Sequence, residues 1–435
     1  MILSKLKYHF QPVAALAIRC LSVLAGFFVT FYIGRTLGPQ ANGAYGLVTQ
    51  TAMFLSVIAV GGLDMASVRE LSRTAASKTL IDRGTYVSVL GWSMLIALVI
   101  SCVLIFGGHK VTTLLLKSDQ TLFTMAIMAL IFISRTLTRI MSAILRSQKV
   151  YIFGQSVEGL FIPCVVSLGL LVWSFDSVEQ ILTMTAIVGI VTGILGVSVG
   201  FRYTTSDGTG LKVPFRNLLK VALPLWSVAI ALNIADWYSL VTVAGVLGVY
   251  QAGIYRIAYQ VSTVLSIITV GLYSVFSTRI GAAKAAGNFE QIALLGRSAT
   301  RLSLAFALPV LFVMFVFAPQ ILNIVGEEFV AGVTVLRIMA VVQFIYVATG
   351  PCGLTLAMCG HERTNLAITV VSLAILLFLA PVSARWFGLE GISAFIGLTM
   401  AARNIASFVA VRHLTGINIF TGRVTPVGNL ADASA

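Results

Sequence analysis

LGPQANGAYGLVTQTAMFLSVIAVGGLDMASVR (residues 37–69) and LGVYQAGIYRIAYQVSTVLSIITVGLYSVFSTR (residues 247–279) align without a gap, 210 residues apart. Twelve of the 33 pairs are identical, among them Gly38/Gly248, Gly43/Gly253, Tyr45/Tyr255, Gly61/Gly271 and Arg69/Arg279. Apolar composition alone gives only a few such matches, so the chain reads as two related halves. In a membrane protein that symmetry points to transport between them.

The rest of the chain supports a membrane setting. Hydrophobic residues make up 58% of its 435 residues and charged residues 10%, with a mean hydropathy of +0.98. A soluble chain carries roughly 25% charged residues. Runs such as TMAIMALIFIS from Thr124 and SLAILLFLA from Ser372 do not alternate, which excludes the strands of an outer-membrane barrel. About 20 apolar residues are needed for each helical crossing. Twelve such spans fall near 13–33, 43–63, 86–106, 121–142, 154–173, 181–201, 220–244, 252–275, 302–325, 332–358, 365–384 and 390–411. The expected fold is therefore an all-α polytopic membrane protein, with about 12 transmembrane helices in two parallel six-helix bundles around a central cavity. Six spans per half bring both halves into the membrane from the same side. The expected division is 1–201 for the first bundle, 202–219 for a cytoplasmic linker (RYTTSDGTGLKVPFRN and its flanks), and 220–435 for the second bundle with a short cytoplasmic tail.

The net charge of +14 follows topology rather than nucleic acid. Twenty-two Lys and Arg fall in segments assigned to one side, against four (Arg35, Lys110, Lys117, Arg385) in the opposite loops. That bias places both termini in the cytoplasm. The first apolar segment runs past 20 residues and lacks a small-residue cleavage site, so it reads as an uncleaved span. Cys20, Cys102, Cys164, Cys352 and Cys359 all sit in spans without ligand spacing, and His9, His109, His361 and His413 are scattered, so neither a metal nor another cofactor is expected. No P-loop, Rossmann glycine pattern or HExxH occurs. Without a nucleotide site, transport has to be driven by a gradient or by the substrate itself.

Several stretches together carry a resemblance. FYIGRTLGPQANGAYGLV joins spans one and two, and ALPLWSVAIALNIADWYSLVTVAGVLGVYQAGIY follows the linker. ILRSQKVYIFG and LAMCGHERTNLA end spans four and ten, and FAPQILNIVGEEFVAGVTVLRIM lies in the second half. In this order and spacing, over nearly the whole chain, they resemble the polysaccharide-transport (Wzx-type) flippases of the multidrug/oligosaccharidyl-lipid/polysaccharide (MOP) exporter superfamily. The resemblance implies transfer of an undecaprenyl-diphosphate-linked oligosaccharide from the cytoplasmic to the periplasmic leaflet of a bacterial inner membrane. It also implies partnership with polysaccharide polymerase and chain-length machinery. It implies no enzymatic activity. Such a substrate needs a polar cavity for its head, a lateral gap for its lipid tail, and Arg or Lys for the diphosphate.

A charge in mid-span costs roughly 2.5–3.5 kcal/mol on insertion scales, so each one faces a cavity, a partner or an interface. Arg19 is the foremost candidate for the lumen and a diphosphate, about seven residues into span one. Members of the superfamily that flip lipid-linked peptidoglycan precursor resemble this in carrying arginines in the first helix. Arg135 and Arg139, with Arg146, share one face of span four and read either as a diphosphate collector or as positive-inside anchors. Arg256 and Arg337 lie just inside the outer ends of spans eight and ten and either face the cavity or snorkel. Asp236, deep in span seven, and Glu158, one turn into span five, are candidates for carrying a coupling ion or for neutralising an arginine. Pro224 is a candidate hinge. The competing readings are a cation-coupled small-molecule or drug exporter with twelve helices and a membrane glycan polymerase. The outer loops are too short, and too poor in His, Asp and Arg, for the polymerase.

Overall fold

The computed structural model of the chain describes residues 2–74, 80–116, 122–206, 210–267, 269, 276, 279–280, 283–284 and 286–424. Lys117 and Gly271, named above, lie outside the described residues. Packing divides the chain into two compact units, Met1–Gly253 and Ile254–Ala435.

The first unit contains α1 (Ile2–Val60), α2 (Leu63–Thr74), β1 (Ile81–Asp82), α3 (Arg83–Leu116) and α4 (Leu122–Ser147). Next come α5 (Tyr151–Gln155), a π-helical turn (Ser156–Leu160), α6 (Phe161–Val172), α7 (Val178–Phe201), β2 (Thr204–Thr205), α8 (Phe215–Leu247) and the start of α9 (Val249–Ser262). The second unit holds the rest of α9, α10 (Phe289–Val316), α11 (Ala318–Val325), a 3-10 turn (Glu327–Gly332), α12 (Val333–Thr349), α13 (Cys352–Met358), α14 (Glu362–Thr415), β3 (Ile417–Asn418) and β4 (Arg423–Val424).

Among the described residues nine helical runs are long and apolar enough to cross a membrane. Two of them, in α1 and α14, bend at Gly38 and Gly388 and are long enough for two crossings each. Of the eighth expected span, 252–275, α9 (Val249–Ser262) covers the start, and residues 268 and 270–275 lie outside the described residues. The chain is an all-α polytopic membrane protein. Expected boundaries shift most at span nine. It begins at Phe289, where Asn288 caps the helix by accepting from Gln291 N at 2.9 Å, and it stops at Val316 before the Pro319-started α11.

The repeat has a structural signature. Gly38 (φ 78°, ψ −176°) and Gly248 (φ 98°, ψ 163°) hold the same left-side backbone conformation at the same repeat position, and each separates two consecutive spans. Five residues on, Gly43 and Gly253 face each other. A Cβ on Gly43 would collide with the Val249 carbonyl oxygen, and one on Gly253 with the Pro39 carbonyl oxygen. Pro39 and Val249 are themselves repeat equivalents, so the contact is symmetric about a local two-fold axis.

Inside the first unit α4 is the packing axis. Of its most apolar window 72% is buried, against 22% for α3, and it packs on α1, α2, α3 and α7. Gly189, Gly193 and Gly196 of α7 lie against Ser134, Leu137 and Met141 of α4, a row of small residues that brings two helices close. The seventh span, α8, also packs here. Trp226 Nε1 donates to Val57 O at 3.2 Å, and Trp237 Nε1 donates to Thr51 Oγ1 at 3.1 Å. The Trp237 ring stacks on Phe54 with centroids 4.6 Å apart. The sequence repeat divides the chain before this span and packing divides it after, because α8 carries two tryptophans fitted to α1. The linker is held too: β2 pairs in parallel with β1, and Val213 N donates to Thr85 Oγ1 at 3.3 Å.

Candidate functional site

Span five is built around a register change. Pro163 has no N–H to give to the carbonyl of Gly159. In the turn before it the helix widens, and Phe161 N–H bonds to Ser156 O, five residues back. Such π turns accumulate at functional positions, and this one carries Glu158. The turn lies on α1: Gly159 approaches Ser22, and Ser167 Oγ donates to Ala25 O at 3.1 Å. Arg19 is one turn before Ser22 on α1 and is exposed.

Glu158 is held from α4. Ser142 Oγ donates to Glu158 Oε2 at 2.8 Å, and Arg146 Nη2 donates to the same oxygen at 3.2 Å. The two charged side chains remain 36% and 38% exposed. Two turns outward along α4, Arg139 Nε meets Asp64 Oδ2 at 2.7 Å with side chains only 17% and 9% exposed. Arg135 is one turn deeper still, roughly 18 Å along the helix from its inner end at Ser147. Tyr45 and Glu158 are the titratable groups whose field acts on it.

The structure thus brings together Arg135, Arg139 and Glu158, with Arg19 on the adjoining helix. It adds Asp64, Ser142 and Tyr45, none of which the sequence reading named as a site residue, and makes Arg146 the direct partner of Glu158. Two of these arginines are paired, Arg139 with Asp64 and Arg146 with Glu158. Arg139 is committed to Asp64, so its guanidinium reaches an anion only in competition with that carboxylate. Asp236 stands apart from the group on α8, exposed in mid-helix beside the packed Trp237. Pro224 is an exposed interior residue of α8, and the helix runs through it unbroken. In the second unit Arg256 is half-buried on α9. Arg337 is tied to the outer end of α10: its Nε donates to Phe315 O at 3.1 Å and its guanidinium lies 5.3 Å from the Phe315 ring centroid. A signal for Asp64 was present in GGLD, where a carboxylate follows a glycine pair at the start of a helix, but nothing in the sequence names its partner.

The polysaccharide biosynthesis protein family matches residues 11–277, more than half of the chain. The chain belongs to that family. The MatE family matches residues 224–382, and both lie within the MOP exporters. No curated protein matches by sequence. Among solved structures, the chain is similar to an inward-facing multidrug resistance MATE family transporter of the MOP superfamily. That likeness has a TM-score of 0.74 and 15% identity, covering 92% of this chain and 97% of that one. It is also similar to the lipid II flippase MurJ in an inward closed conformation, with TM-score 0.67 and 12% identity over 95% of this chain and 88% of that one. The Vibrio cholerae MATE transporter VcmN gives TM-score 0.65 and 18% identity over 92% and 96%. At these identities the likeness establishes the fold. Family and fold together make the protein a multi-pass MOP-superfamily transporter of the flippase or exporter type.

Proposed function

We propose that the protein flips an undecaprenyl-diphosphate-linked oligosaccharide, an O-antigen, capsule or exopolysaccharide repeat unit, from the cytoplasmic to the periplasmic leaflet of a bacterial inner membrane, with both termini cytoplasmic. The observation that carries this reading is the arginine excess on α1 and α4: Arg139 pairs with Asp64 and Arg146 with Glu158, whereas Arg19 and Arg135 make no ion pair among the described residues. Uncompensated cations at membrane depth cost several kcal/mol unless an anion joins them. A diphosphate supplies about two negative charges and the acceptor oxygens that guanidinium forks match. In this reading only the glycan head and diphosphate cross, along a polar path, while the lipid tail stays in the bilayer, so no bond is made or broken and no cofactor is called for.

Arg256 and Arg337 are the candidate diphosphate-binding residues of the second half. Asp236 and Glu158 are the candidate carriers of a coupling ion; each charge moved across the membrane is worth about 2.3 kcal/mol per 100 mV. Pro224 is the candidate hinge. The second reading, a cation-coupled drug exporter, is favoured by the MatE match over 224–382 and by the exposed Asp236.

The test is deletion in the host followed by complementation with the natural chain, Arg19→Ala or Asp236→Asn. The expected outcome is loss of surface polymer, accumulation of the lipid-linked unit on the cytoplasmic leaflet, and rescue by the natural chain alone. Unchanged polysaccharide with altered drug sensitivity would overturn the flippase reading in favour of the exporter.

A further inference from the structure

The segment after the last span is a folded element rather than a tail. Gly416 (φ 69°) ends α14, and β3 pairs antiparallel with β4 in the register Ile417↔Val424 and Asn418↔Arg423. The turn is closed from within. Asn418 Oδ1 accepts from Phe420 N at 3.0 Å and Thr421 N at 3.2 Å, and Gly422 N donates to Asn418 O at 2.8 Å.

The apolar side of this hairpin is driven into the basic end of the second unit. Ile417 and Ile419 are each 1% exposed, in one cluster with Ile292 and Ala293 of α10 and Cys352 and Leu356 of α13. Ile419 meets two residues that have no side chain. A Cβ on Gly296 would come within 3.3 Å of Ile419 Cγ2, and one on Gly350 within 3.1 Å. Gly350 (φ 72°, ψ −168°) is where span ten breaks into α12 and α13. A side chain there is excluded twice, by the positive φ and by collision with Thr300 Oγ1 on α10. A break inside a span leaves helix-end backbone groups to be satisfied and held. Here Gly350 N donates to Val347 O at 3.2 Å and Cys352 Sγ to Thr349 O at 2.8 Å.

We propose that the hairpin 417–424 is a latch, with Ile419 as the wedge that locks the Gly350 bend of span ten onto α10. Its release frees α13 from α10. This is a property of the second unit alone and holds whatever the protein carries.

Two native thiols report on the latch. Cys352 and Cys359 are 2% and 7% exposed in the same cluster. Their burial keeps both thiols away from a reagent in solution. In a Cys20→Ser, Cys102→Ser, Cys164→Ser background, a membrane-permeant maleimide labels the full-length protein slowly. Ile419→Asp, or a stop after Gly416, is expected to label at least about tenfold faster, a loss of about 1.4 kcal/mol or more of protection, while Ile419→Val stays within about twofold. Labelling of Ile419→Asp as slow as that of the parent overturns the proposal. Hydrogen exchange on the unaltered chain gives a second reading that requires no mutant to fold. Residues 350–359 and 417–424 are expected to open together, and a freely exchanging hairpin beside a protected bend also overturns it. Neither readout involves a substrate, so failure of the flippase reading leaves this test intact.

Discussion

Two ion pairs made by the same helix illustrate opposite uses of the same chemistry. Arg139–Asp64 closes at 2.7 Å with side chains 17% and 9% exposed, whereas Arg146–Glu158 closes at 3.2 Å with 36% and 38% exposed. The first has left the solvent almost entirely. Its formation gains little against apolar packing, but losing one partner strands a charge. The second is screened and contributes about 0–1 kcal/mol. Arg139–Asp64 fixes α2 to α4. Arg146–Glu158 can be opened and re-formed cheaply, which suits a group that trades one anion for another.

The largest effect is expected where burial is greatest. Arg139→Ala or Asp64→Ala should each lower stability by about 3–5 kcal/mol, measured as the unfolding midpoint of the purified protein in detergent. The double replacement Asp64→Leu, Arg139→Met should recover most of that loss, because it removes both charges at once. Single variants as stable as the parent would place Asp64 and Arg139 on the same footing as the exposed pair and dissolve the contrast.

An intermediate effect belongs to the hydroxyl that joins the two environments. Ser142 is fully buried, and its Oγ donates to the half-exposed Glu158 at 2.8 Å. Ser142→Ala removes a hydrogen bond to a charged acceptor and should cost about 1.5–3 kcal/mol. A cost of zero would mean that water replaces the hydroxyl and that Glu158 is wetter than the structure places it.

The legibility of these elements in the sequence follows from the range of the forces involved. Spans could be read because hydrophobicity over about 20 residues is a local quantity. The breaks at Gly38 and Gly248 were marked by identical residues at identical repeat positions, and the glycine row of α7 by its helical spacing. Arg135 was visible as a charge, but its place along α4, twelve residues before the helix stops at Ser147, was not. The pairing of Arg139 with Asp64 joins residues 75 apart in the chain, and no local pattern encodes such a partner. The hairpin 417–424 was read as a tail for a related reason. INIFTGRV is short, and its two isoleucines gain burial only from Gly296 and Gly350, which belong to other helices.

The smallest stability effect and the sharpest functional one are expected at the exposed pair. Glu158→Gln leaves the side-chain shape and the Ser142 contact in place while releasing the Arg146 guanidinium from a competing carboxylate. Stability should change by less than about 1 kcal/mol. Binding of a short-chain prenyl diphosphate to the purified protein should tighten, and the gain should shrink as salt is raised, since a half-exposed arginine is screened within about 10 Å at 0.1 M. Arg146→Gln should weaken the same binding at equal stability. If both variants bind the diphosphate as the parent does, the pair is a surface contact without a ligand, and the cationic group reduces to Arg19 and Arg135. If Glu158→Gln instead destabilises the protein as strongly as Asp64→Ala, the exposed pair is structural too, and the division of labour along α4 does not exist.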